Sequence, residues 1–203
     1  MESRFLMIGF MIILLLVLLA YLIGSISSAM VVSKWMTLPD PRTVGSGNPG
    51  ATNVLRVGGK KAGVLTLLGD TLKGYLPVFL TVYLHLPDSF TAMIALAVFL
   101  GHLYPVFFGF KGGKGVATCF GVLLAIHPLL ALAVLVIWII TFAMFRYSSL
   151  AALTAVAMGL IYGAASLPHP VYLAFFVMGI FLFWRHRANI QRLLKGVEPK
   201  FRK

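Results

Sequence analysis

The chain has 203 residues, 60% of them hydrophobic and 11% charged, with a mean hydropathy of +0.98. An ordinary globular domain carries about 25% charged residues, so a water-soluble protein is excluded. Seventeen Lys and Arg against five Asp and Glu give a formal charge of +12, but so apolar a chain leaves no face for a nucleic acid, and the charge is assigned to membrane topology and an anionic ligand.

Apolar runs cover residues 5–32, 62–84, 90–108, 116–145, 149–167 and 171–184. The first is too long for a removable signal peptide and lacks a small-residue cleavage site before a polar domain, so it reads as a span. The run 116–145 holds 30 residues, about 45 Å as one helix against a hydrocarbon core of ~30 Å. His127-Pro128 divides it, because proline lacks an N–H and disfavours helix in the residue before it. A short arm over 116–126 and a new span from Leu129 make seven spans instead of six. That arm reaches only ~17 Å, which predicts a tilted or partly re-entrant helix or a thinned bilayer.

Short cytoplasmic loops are rich in Lys and Arg. With seven spans, fifteen of the seventeen fall on one side. They are Lys34, Arg42, Arg56, Lys60 and Lys61, then Lys111 and Lys114, then Arg146, and finally Arg185, Arg187, Arg192, Lys195, Lys200, Arg202 and Lys203. The opposite connections, 85–89, 127–128 and 167–170, contain none. Six spans would put the basic tail across the membrane from the 34–61 loop. The expectation is an all-α membrane protein, residues 1–203 forming one integral membrane domain, with the N-terminus outside and the C-terminus cytoplasmic. Polar residues and glycines gather in the cytoplasmic connections, so the site is expected there, beside apolar helices able to hold a lipid chain.

The stretch Gly45-Ser46-Gly47-Asn48-Pro49-Gly50-Ala51-Thr52-Asn53-Val54-Leu55-Arg56 has the composition of a phosphate-binding loop. Its glycines let backbone N–H groups converge, and Ser46, Asn48, Thr52 and Asn53 add donors without negative charge. The blander reading is a turn-rich linker with a helix cap at Thr52 or Asn53. A second stretch runs from Gly101-His102 to Lys111-Gly112-Gly113-Lys114-Gly115 and ends where a helix begins, a place that attracts anions. It is not a Walker A loop, since the spacing is one residue short and Gly115 stands where Ser or Thr would bind magnesium. Positive-inside anchoring alone would also account for Lys111 and Lys114.

Asp70 and Lys73 share a helix face within an apolar run, either as a neutralising pair or as support for a loop base. His186 and Asn189, flanked by Arg185, Arg187 and Arg192, read either as a stop-transfer cluster or as a return toward bound phosphate. His102 is open between base, phosphate donor and structural partner. Absences narrow the chemistry further. Cys119 is the single cysteine, so no disulfide framework or cysteine metal cluster is available. Asp40, Asp70 and Glu198 are too dispersed for a magnesium site, and neither metal nor cofactor is expected. No histidine has an Asp five residues later, and no Ser-His-Asp order suggests itself.

The combination resembles the bacterial acyl-phosphate-dependent glycerol-3-phosphate acyltransferases of the inner membrane. The resemblance rests on Ser46-Gly47-Asn48-Pro49-Gly50-Ala51-Thr52-Asn53, on the stretch from Gly101-His102 to Thr118, on Arg185-His186-Arg187-Ala188-Asn189-Ile190, and more weakly on Asp70-Thr71-Leu72-Lys73-Gly74. It implies seven spans, an active site facing the cytoplasm, and acyl transfer from acyl phosphate to the 1-hydroxyl of sn-glycerol 3-phosphate, giving lysophosphatidic acid and phosphate. It further implies that Ser46, Gly47, Asn48, Gly50, Ala51, Thr52 and Asn53 cradle the acyl phosphate. Arg56, Lys114, Ser149, His186 and Asn189 would bind glycerol 3-phosphate, with Ser148 the alternative to Ser149. Ser46, Asn48, Lys114 and His186 would stand at the reacting groups, with Asp70, Lys73 and His102 in support.

Two phosphates must approach each other in this reaction, and dense donors with few carboxylates are what that requires. The leaving group is already activated, so no covalent intermediate is needed. A substrate phosphate is the expected acceptor of the hydroxyl proton, ahead of His102 or His186. The partners expected are the two substrates and membrane lipid, and the resemblance admits a link to an acyl-phosphate-producing enzyme. A carrier or channel for phosphate-bearing anions is the competing class, but the outward connections are short and nearly uncharged.

Overall fold

The structure is a computed structural model describing residues 2–201; Arg202 and Lys203 of the basic tail lie outside the described residues. The described residues are helical throughout, with no strand: α1 (Glu2–Gly24), α2 (Ser28–Trp35), α3 (Ala51–Tyr83), α4 (Asp88–Leu103), a 3-10 turn at Val106–Phe108, α5 (Val116–Ile126), α6 (Pro128–Phe145), α7 (Ser148–Ser166), α8 (His169–Arg185) and α9 (Arg187–Leu194). Among the described residues, four stretches are long and apolar enough to cross a membrane: Met7–Gly24, Asp88–Phe108, Pro128–Phe145 and Ser148–Ser166. The pair α8 and α9, bent by 56°, makes a fifth.

Two of the apolar runs are divided locally. The run 5–32 is not one helix: α1 stops at Gly24 and α2 restarts at Ser28, because the Ser27 hydroxyl accepts from the Met30 N–H as an N-cap,. The run 90–108 ends as α-helix at Leu103, where Tyr104 and Pro105 break it before the 3-10 turn. The break at 127–128 is where proline puts it. Pro128 opens α6, and His127 caps that helix by accepting the Leu130 N–H at Nδ1,.

Glycines at the helix contacts explain how the short α5 is held. A Cβ on Gly74 of α3 would lie 2.3 Å from the Thr118 carbonyl oxygen, and one on Gly121 of α5 would lie 2.1 Å from that of Thr71. The two backbones therefore touch, which is how apolar helices associate where lipid removes the hydrophobic drive. The buried core of Phe99, Leu103, Leu123, Leu130, Met178 and Leu182 joins α4, α5, α6 and α8. Phe10, Leu14 and Leu18 of α1 and Leu129, Leu132 and Ile139 of α6 are exposed, forming an apolar girdle that suits lipid. α3 is bent at Gly59, whose φ of 78° lies in the left-handed region, so its first two turns leave the axis of the longer segment that carries Asp70 and Lys73.

Candidate active site

The first glycine loop is shaped by Asn53. Its Oδ1 accepts from the Ser46 N–H at 2.8 Å, and its Nδ2 donates to the carbonyls of Pro41 at 2.8 Å and Val44 at 3.0 Å. Asn53 is buried, so it folds the loop instead of meeting a ligand directly. The helix begins earlier than a cap at Thr52 or Asn53 would place it: Gly50 is the N-cap, and Ala51, Thr52 and Asn53 form the first turn of α3. With no side-chain cap and no acid in that turn, the positive end of the helix dipole faces the loop.

The second loop lies against the last turn of α4. A Cβ on Gly112 would fall 2.0 Å from the His102 carbonyl oxygen, and one on Gly113 would fall 2.4 Å from His102 Nε2. These glycines therefore permit close approach to α4, a requirement separate from exposing N–H groups. Arg185 donates from Nε to the Gly113 carbonyl at 3.1 Å and from Nη2 to that of Gly112 at 2.6 Å, which takes two acceptors out of an anion's path. Gly115 caps α5, whose first turn also lacks an acid.

Both loops and the α8–α9 elbow line one cavity of about 420 Å³. Among the sequence candidates it brings together Ser46, Gly47, Asn48, Lys114 and Asn189, and it adds Arg42, Lys111, Arg185 and Arg192, with no carboxylate in its lining. Arg42 is held there by Asp40 through Nη2 at 2.7 Å and Nε at 3.0 Å. Gly50, Ala51, Thr52, Asn53, Arg56, Ser149 and His186 do not line it. Arg56 is exposed, with its guanidinium 5.8 Å from the centre of the Phe201 ring.

Behind Lys114 stands a polar chain absent from the sequence expectations. Lys114 Nζ donates to Asn189 Oδ1, Asn189 Nδ2 donates to Glu198 Oε1 at 2.6 Å, and Ser149 Oγ donates to the same oxygen at 2.6 Å. Arg192 Nε donates to Glu198 Oε2 at 2.7 Å. Ser149, not Ser148, is thus the serine turned into this cluster. Burial pushes Lys114 down to about 8, against the opposing pull of Glu198,. Burial and then the Lys114 charge bring His186 to about 4. His186 is neutral near pH 7, and since its Nδ1 lies 2.8 Å from the Leu182 carbonyl oxygen, that nitrogen carries the proton and Nε2 keeps a lone pair. Burial raises the Glu198 carboxyl, but the donors Ser149, Asn189 and Arg192 outweigh it and hold it below the usual range.

Comparison with known proteins identifies the family. The family model described as glycerol-3-phosphate acyltransferase matches residues 14–196. A glycerol-3-phosphate acyltransferase of Methylobacillus flagellatus is 59% identical over 188 residues, covering 92% of this chain and 96% of the relative. One of Burkholderia ambifaria is 56% identical over 191 residues, covering 93% and 90%. The crystal structure of PlsY, an integral membrane glycerol 3-phosphate acyltransferase, superimposes in its glycerol 3-phosphate form with a TM-score of 0.90 at 46% identity, covering 94% of this chain and 96% of that one. Its lysophosphatidic acid form gives 0.86 at 44% identity, covering 94% and 95%. A multi-pass membrane chain with two glycine loops converging on one cationic cavity, it belongs to the glycerol-3-phosphate acyltransferase family.

Proposed function

We propose that this protein transfers a fatty acyl group from acyl phosphate to the 1-hydroxyl of sn-glycerol 3-phosphate, releasing lysophosphatidic acid and inorganic phosphate at the cytoplasmic face of the bacterial inner membrane. The observation that carries this reading is the cavity itself, where both glycine loops meet five cationic side chains and no carboxylate. Ser46, Gly47, Asn48 and the free N–H groups at the start of α3 receive the acyl phosphate. Lys114 and Asn189, backed by Ser149, hold glycerol 3-phosphate, while Arg56 and His186 stand at its edge. The hydroxyl oxygen attacks the acyl carbon, the bond from that carbon to the phosphate oxygen breaks, and phosphate departs with both electrons.

The donors around the loop stabilise the charge that builds on the carbonyl oxygen and the leaving phosphate. The hydroxyl proton passes to a substrate phosphate oxygen. His186 is too weak a base for it at a pKa of about 4,, and His102 is buried below the loops. Holding both phosphates supplies much of the remaining rate enhancement. Purified protein is expected to release phosphate from acyl phosphate only when glycerol 3-phosphate is present, to leave acyl-CoA unused and to ignore EDTA. Equal turnover with acyl-CoA, or activity lost to EDTA and restored by magnesium, overturns the reading.

We infer seven crossings, with the N-terminus outside, the C-terminus cytoplasmic and α5 a short arm. Support comes from the contact of Lys114 with Asn189 and of the Phe201 N–H with the Arg146 carbonyl, since these gather the basic loops and the tail at one end of the bundle. Cysteines are best placed at exposed Thr43, Lys111 and Lys200, because Gly112 has no room for a side chain. They are expected to react with an impermeant reagent only from the cytoplasm, and cysteines at exposed Ser89 and His169 only from outside. Native Cys119 is buried and stays silent. Labelling of position 200 from outside restores six crossings.

A further inference from the structure

Beneath the cavity lies a constellation that the acyl-transfer chemistry above does not use. Asp70 and Lys73 of α3 are 2% and 7% exposed, with Lys73 Nζ 2.8 Å from Asp70 Oδ1. Lys73 also donates to the Ile26 carbonyl at 2.8 Å, which ties α3 to the break between α1 and α2. His102, 6% exposed at the last turn of α4, places Nδ1 3.6 Å from the same Asp70 oxygen. The other edge of the ring faces upward. A Cβ on Gly113 would lie 2.4 Å from His102 Nε2 and 3.1 Å from the Pro49 carbonyl oxygen. One imidazole therefore stands between a buried ion pair and the place where the two glycine loops touch.

Burying three ionisable groups among apolar helices is expensive, and packing alone would be served by an apolar side chain. An imidazole is rigid, its two nitrogens lie on opposite sides, and each here addresses a different layer. Acyl transfer between two phosphate-held substrates depends on the separation of their loops, and a misplacement of about 1 Å costs about 100-fold in rate. We propose that His102 is a positioning residue: its ring is wedged between the Asp70 carboxylate, 3.6 Å from Nδ1, and the loops, and the Nε2 edge sets where Gly113 and Pro49 meet, and so how far apart the two loops hold their phosphates. This rests on the acyl-transfer reading above.

The test uses His102→Gln, whose amide nitrogen takes the place of Nε2, His102→Asn, whose amide nitrogen takes the place of Nδ1, and Gly113→Ala. Rates are measured with whichever acyl donor the wild type uses, so an error in the donor assignment shows in the wild type and leaves the ratios among variants readable. The melting shift caused by inorganic phosphate is measured alongside. His102→Gln is expected to keep kcat within about fivefold of wild type, whereas His102→Asn and Gly113→Ala lose about 100-fold in kcat with KM for glycerol 3-phosphate within about threefold.

The phosphate-induced shift persists in all three, because each loop still binds its own phosphate. The double variant of His102→Asn with Gly113→Ala falls little further than either alone, as expected for two changes at one contact. Three results overturn the proposal. Asparagine equals glutamine in activity; or the change is a rise in KM alone with kcat intact, which makes His102 a direct ligand; or the loss is confined to the amount of folded protein. If His102→Asn does not insert, Gly113→Ala on the loop decides, and a wild-type kcat there overturns the proposal.

Discussion

Lys114→Ala is expected to lower kcat/KM for glycerol 3-phosphate by at least about 10- to 150-fold in correctly inserted protein, the equivalent of one charge-assisted contact of roughly 1.5–3 kcal/mol. Lys114 lies at the cavity wall, between the glycines of the second loop and Asn189. One of its three N–H donors is spent on Asn189 and the rest remain for phosphate. Its pKa of about 8 gives the prediction a second readout. As pH rises through that value the ammonium loses its charge, so kcat/KM falls on the alkaline side, while the second phosphate ionisation near 6 affects only the acid side.

Lys114→Arg keeps its charge at every accessible pH but presents a planar fork to a site shaped for a compact ammonium. It is expected to be slow and to lack the alkaline limb. Alanine at exposed Lys195 and Lys200, which do not line the cavity, is expected to leave activity within about threefold. Arginine serving as well as lysine would make Lys114 a topological anchor only.

Where covalent rules act locally, the sequence is a sufficient guide. Pro128 ends one helix and begins another, so the short arm over 116–126 and the restart after it can be read directly. The two glycine loops are visible as compositions, and family likeness adds the ligands expected for them. Their actual use of glycine is less visible, because the carbonyls that Gly112 approaches belong to the turn of α4 that ends nine residues earlier, and only the fold brings them together. The break after Gly24 is masked by the apolar run around it, although Ser25, Ser27 and Ser28 are the kind of residues that cap a helix restart. Arg42 reads as one more cytoplasmic cation until Asp40 is seen to aim it into the cavity. Glu198 carried one weak signal, as the single carboxylate in a basic tail. Its partners Ser149 and Asn189 are 49 and 9 residues away, and no spacing rule links them.

That carboxylate leads to the second large effect. Glu198 accepts from Ser149, Asn189 and Arg192, and by taking the Asn189 amide nitrogen it turns the amide oxygen toward Lys114. Glu198→Ala leaves these donors without an acceptor, and breaking one side of such a cluster costs on the order of 3–5 kcal/mol when it is buried. Reduced insertion and a loss of more than about 100-fold in kcat/KM are expected. Glu198→Gln is more informative because it keeps the volume and removes the charge. The Glu198 charge favours the Lys114 ammonium against burial and against Arg192, Arg185 and Arg56. Without it the Lys114 pKa falls, so the alkaline limb of kcat/KM moves below about 8 and glycerol 3-phosphate binding weakens near neutral pH, where the wild type still holds its charge. Raising the proton concentration restores part of that loss in Glu198→Gln and none of it in Lys114→Ala. A limb that stays at its wild-type position would show that Glu198 braces the tail without acting on Lys114, and would remove the link between the C-terminal segment and the phosphate site.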